Sequence, residues 1–145
     1  MTVSYYTYNN QNTLTLTKLE KELRERKKNF GINHFSVAET LNSIGLVCHH
    51  MMNDHETAIQ MHDEAKRILE MQEQTQQNLF DLAITIGDLG NCYWKKGDYT
   101  SAKNQYMQSM QFFENCQISE THPKAKLCVY TMQYRLGQLQ SQSNV

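Results

Sequence analysis

The chain is poor in turn-forming and helix-breaking residues, with one Pro and six Gly in 145 residues, and it has a single Trp. Gln, Asn, Met, Leu, Glu and Lys are plentiful instead, which is the balance of a helical chain and leaves little for strands. It lacks a charge excess, with 14 Lys plus Arg against 15 Asp plus Glu, so no net field draws in nucleic acid or an anionic membrane. It has no CxxC pair: Cys48, Cys92, Cys116 and Cys128 are separated by 44, 24 and 12 positions. Such spacing suits free thiols in a reducing compartment better than a disulfide frame, and a cytoplasmic protein is expected. No apolar run approaches the roughly 18 residues of a membrane span, and the opening "MTVSYYTYNNQN" has neither a basic n-region nor an apolar h-region. Neither a signal peptide nor a transmembrane helix is expected.

What remains is enough for one domain with one core. Residues 1–13 are Tyr, Thr, Asn and Gln without helical periodicity, and a flexible N-terminal segment is expected there. From Leu14 the pattern changes. Leu16, Leu19 and Leu23 fall at i, i+3 and i+7, while "KLEKELRERKK" sets Glu20 four before Arg24 and Glu22 four before Arg26. This predicts an entry helix over 14–30 with an ion-paired face, closed by Gly31. The basic run from Arg24 to Lys28 is read as a solvated last turn, not a nucleic-acid patch.

Ser36-Val37-Ala38-Glu39 has the form of a capping box. The helix it predicts keeps Val37, Leu41, Ile44 and Cys48 on one face and ends near "MMND", where Asn53 or Asp54 can cap the next. Ala58, His62, Ala65 and Leu69 then mark the seam of a third helix. This combination recurs. "AETLNSIG" and "AITIGDLG" set Ala seven before Gly, at Ala38 and Gly45 and again at Ala83 and Gly90, a distance of 45. Ala102, Tyr106, Ser109 and Phe113 repeat the third helix's seam at a distance of 44, with the turn shortened from "HHMMNDHETA" to "KKGDYTSA" and Gly97 available for a positive φ. "NHFSVA" around His34 has its echo in "THPKAK" around His122, 88 residues on, with Pro123 at the first helical position.

The expected architecture is therefore all-α, with about six helices: an entry helix at 14–30, a repeat at 36–75, a repeat at 78–118, and a final helix at 123–139. Together they form a domain over 14–141, followed by a flexible tail at 142–145. Periodic pairs of this kind bury their apolar faces by stacking on their neighbours, which predicts an α-solenoid of antiparallel helix pairs. Gly45, Ala58, Gly90 and Ala102 are expected where the two helices of a pair approach most closely.

The stretch "IGDLGNCYWKKGDYTSAKNQYMQSM" resembles a tetratricopeptide repeat, with Leu89-Gly90, Tyr93, Ala102 and Tyr106 on its pattern and Ile86 in the Trp slot. The first pair matches through Leu41, Ile44-Gly45 and Ala58, with Cys48 and His62 as departures. The period near 44 and the entry "NHFSVAETLN" are similar, more narrowly, to the long repeats of the kinesin light chain type, although Phe35 stands where that family has Pro. The resemblance covers roughly residues 14–139. It implies a right-handed superhelix whose first helices, at 36–52, 78–96 and 123–139, line a concave groove for an extended peptide or a partner's helix. It also implies the groove positions Asn42, Leu46, His49 and His50 in the first pair, and Gly87, Asn91, Trp94 and Lys95 in the second. The Lys, Asn and Arg clamp with which some members hold a C-terminal carboxylate is not evident, since Lys95 stands nearly alone.

No chemistry of its own is expected of the chain. "CHHMMNDHE" fails the HExxH pattern at Ile59, and the adjacent His49 and His50 point about 100° apart on one helix, so structural or groove-lining histidines are expected and no metal. There is no G-x-S-x-G, no phosphate loop and no activated thiol, so no cofactor is expected and an enzyme is not. The function expected is a protein-protein interaction scaffold. The alternative is a self-assembling module, a homo-oligomer stacked through its end helices.

Overall fold

The computed structural model describes residues 2–117 and 121–143. Among them the chain forms six α-helices: α1 (Thr2–Phe30), α2 (Phe35–His50), α3 (His55–Glu70), α4 (Gln76–Lys96), α5 (Tyr99–Asn115) and α6 (Pro123–Ser143). No strand occurs among the described residues, and no helix there is long and apolar enough to cross a membrane. The fold is an all-α helical repeat, divided into two compact units, Met1–Ile68 and Leu69–Val145.

In the first unit, α1 begins at Thr2, twelve positions before the entry helix expected from apolar periodicity. Thr2–Phe30 contains neither Pro nor Gly, so nothing in it interrupts a helix. A tertiary contact fixes its middle, where Asn12 is buried and its Nδ2 donates to the Met51 carbonyl at 3.5 Å. Glu22 and Arg26 pair at 2.6 Å, and Gly31, at φ +92°, ends the helix with its N–H on the Lys27 carbonyl. The basic last turn is more than solvated surface. Arg26 Nη1 donates to the Ser36 carbonyl at 2.7 Å and reaches Glu39 at 3.2 Å, and Lys27 lies 3.5 Å from Glu64 of α3.

The capping box does not form. His34 is the N-cap of α2, its Nδ1 accepting from the Ser36 N–H at 3.2 Å and meeting the Ser36 hydroxyl at 2.7 Å. Ser36 lies inside the helix, and Glu39, which would have reached back, turns to Arg26. The imidazole is held in place by stacking on Phe30 at 4.8 Å. At the far end Asn53 takes a positive φ of 54° and the Asp54 carboxylate accepts from the Thr57 N–H, capping α3. The expected seams are buried: Val37, Leu41, Ile44 and Cys48 on α2, and Ala58, His62 and Ala65 on α3.

The second unit is built the same way with a shorter turn. Thr75 caps α4, Gly97 at φ +82° ends it, and Asp98 at once caps α5 by accepting from the Ser101 N–H at 3.1 Å. Ala102, Tyr106, Ser109 and Phe113 are buried against α4, with the Ser109 hydroxyl donating to the Ala83 carbonyl at 2.6 Å. Cys116 and Gln117 close the hairpin onto Gln76. The His34 arrangement returns at α6, where His122 Nδ1 accepts from the Lys124 N–H at 3.2 Å and its ring packs 4.7 Å from Phe80. Ala125 and Met132 are the buried residues of α6, which continues past the expected end at 139 to Ser143; residues 118–120 and the last two of the tail lie outside the described residues.

Candidate functional site

The small residues explain how each hairpin closes. A Cβ on Gly45 would lie 2.6 Å from the imidazole of His62, and one on Gly90 would lie 2.5 Å from the ring of Tyr106 and 3.4 Å from the Ala102 carbonyl. Each ring thus packs directly against a glycine of the facing helix, and each uses its polar atom beside that contact. His62 Nδ1 donates to Asn42 Oδ1 at 2.9 Å, and the Tyr106 hydroxyl donates to Asn91 Oδ1 at 2.9 Å.

On the second unit this contact opens into a polar cluster between α4 and α6. Arg135 of α6 donates from Nη1 to Asn91 Oδ1 at 2.6 Å and to the Tyr106 hydroxyl at 2.6 Å. Its guanidinium carbon stands 5.2 Å over the Trp94 ring, which in turn packs edge-on against Tyr99 at 4.9 Å. A guanidinium has five donors in a fixed fork, so these partners hold Arg135 by one nitrogen and a stacking face. One helical turn earlier, burial pushes the Asp88 carboxyl up to about 6, with Lys124 opposing the shift. Burial and the nearby Asp88 also raise the Cys128 thiol, while burial, Asp54 and Glu20 raise Cys48. Both thiols are therefore held protonated and are poor nucleophiles.

The eight residues expected on the groove face divide by environment. Asn91 and Trp94 belong to the Arg135 cluster, and Lys95 is exposed beside them. Gly87 is buried, its Cβ position 3.2 Å from the Ser109 hydroxyl. In the first unit Asn42 is engaged with His62, Leu46 is half-buried, His50 is exposed and His49 is buried. His49 Nδ1 lies 2.9 Å from His55 Nδ1, with the two rings edge-on at 4.8 Å. Among the described residues no group of three or more His, Cys, Asp or Glu is placed to hold a metal ion.

Arg135 and Asp88 escaped the sequence reasoning. The signal for Arg135 was present, because it stands 44 residues after Asn91, one repeat length, which sets the two at the same level of successive first helices. Compared with known proteins, the chain matches no family model and no curated protein.

Proposed function

We propose that the chain is a non-enzymatic interaction scaffold of the tetratricopeptide type, holding an extended peptide or a partner's helix along the exposed side of α4 and α6 in its second unit. The observation that supports this most is the preorganised guanidinium of Arg135, fixed by Asn91, Tyr106 and Trp94. Its unengaged donors match a carboxylate, either an acidic side chain or a chain terminus, in the two-bond geometry that guanidinium favours. Trp94 supplies apolar anchor area next to it.

The test compares capture on a peptide array displaying free C-terminal carboxylates and acidic side chains with capture on the same peptides amidated and neutralised. The reading predicts selective capture of the acidic set, lost by Arg135→Ala and weakened at least tenfold by Arg135→Lys, with circular dichroism unchanged. Equal capture of both sets, or capture unaffected by either variant, would reject it. A second reading, self-assembly, is favoured by three exposed apolar residues of α6, Leu127, Tyr130 and Tyr134. Light scattering over a concentration series decides it, and a strict monomer excludes it.

A further inference from the structure

The two hairpins place rings at matching repeat positions, but the chemistry differs. Where the second has Trp94, Tyr99 and Tyr106, the first has His49, His55 and His62, at distances of 45, 44 and 44. The geometry is shared: the edge-on pair His49 and His55 at 4.8 Å corresponds to Trp94 and Tyr99 at 4.9 Å, and His62 lies on Gly45 as Tyr106 lies on Gly90. We propose that the α2–α3 hairpin is an acid-sensitive element, opened by protonation of the histidines that replace the Trp and Tyr rings of its counterpart, which take up no proton in acid.

Three features of the site make protonation costly. First, His62 is fully buried; its Nδ1 hydrogen is committed to Asn42, and its Nε2 is buried with no partner. A proton added at Nε2 would face the Gly45 backbone with no acceptor to receive it. Second, His49 and His55 share one hydrogen bond between two Nδ1 atoms, which needs one of them bare, so protonation of both abolishes it. Third, the surrounding charges do little to help. From α2, His49 and His50 oppose a charge on His62. At the turn, Asp54 faces His55 and accepts from the Thr57 N–H at the start of α3. From α1, Glu20 lies toward Cys48, and Lys27 is paired with Glu64 of α3, while Asp63 of α3 faces Lys66.

The sign follows from proton binding. Burial, with His49 and His50, lowers His62 from 6.5 to about 4, so the open hairpin binds protons more tightly than the closed one, and closure weakens as pH falls from above 6.5 toward 4. The test is amide hydrogen exchange on the full chain between pH 7.5 and 5, corrected for intrinsic rates, with α4–α5 as the internal control. Protection of α2–α3 is expected to fall roughly 30-fold from His62 alone, with no such loss in α4–α5. His62→Phe, which keeps a ring on Gly45, is expected to remove most of that response. Equal pH responses in the two hairpins, or an unchanged response in His62→Phe, would overturn the proposal. Should that variant fail to fold, imidazole NMR on the unaltered chain decides: titration of His62 below pH 5 supports the proposal, and titration near its ordinary value refutes it.

Discussion

Gly45 carries the imidazole of His62 and Gly90 carries the phenol of Tyr106, so one steric device closes both hairpins while their chemistry diverges. In the first, the ring's polar atom ends on Asn42, on the same hairpin, and its other nitrogen is left unpaired. In the second, the hydroxyl joins Asn91 and Arg135, linking α4, α5 and α6. A repeat can therefore conserve its packing at a crossing point while assigning one copy to titration and the other to a polar cluster. Steric demand fixes only the glycine, and any flat ring of about the right size meets it.

The largest effect that would sharpen the comparison is removal of the rings. Tyr106→Ala should cost the second unit about 3–5 kcal/mol, since it empties a fully buried site and leaves Asn91 and Arg135 without the hydroxyl. His62→Ala should cost less, because the ring is smaller and only Asn42 loses a partner. Chemical denaturation with a probe in each unit measures both. Next come Gly45→Ala and Gly90→Ala, each expected to cost about 1–3 kcal/mol despite the better helix propensity of Ala, because the new methyl meets a ring that is itself packed.

Acidification should then split the two units. Asp88 is raised from 3.8 to about 6 by burial, so the folded second unit binds that proton more tightly than the unfolded chain does. Its stability rises as pH falls from 7 toward 4, over a range in which His62 weakens the first unit. Asp88→Asn should accordingly stabilise the second unit by on the order of 1–2 kcal/mol at pH 7 and flatten its pH profile, as read by thermal melts at pH 5 and 7. The smallest effect is the control, Gly137→Ala. No atom lies within 4 Å of the added methyl, so α6 should gain up to about 1 kcal/mol from helix propensity alone.

These pairings show which parts of the fold were legible from the sequence. The period was readable at Gly45, Gly90, Ala58 and Ala102, because a close crossing admits only small residues and that requirement is local. Turns were readable where backbone geometry demands a residue type, as at Gly31 and Gly97 with positive φ. The start of α2 was not. Ser36 and His34 can both accept at a helix N-terminus, and the choice depended on Phe30 stacking on the imidazole and on Arg26 drawing Glu39 away, neither of which is local. The N-terminal part of α1 was missed for a similar reason, since Asn12 is buried by a contact with Met51 and not by an apolar pattern. Of the expected groove residues, the structure brings Asn91 and Trp94 together with a partner, Arg135, that periodicity could have located. The half-buried position of Asp88 near Lys124 has no sequence signature.

The central claim, that a ring seated on a glycine closes each hairpin, is tested most directly by a double-mutant cycle of Gly90→Ala with Tyr106→Ala, measured by equilibrium denaturation. If the claim holds, the glycine substitution that costs 1–3 kcal/mol with the ring present turns neutral or stabilising by about 1 kcal/mol once the ring is gone. The same cost in both backgrounds would contradict it.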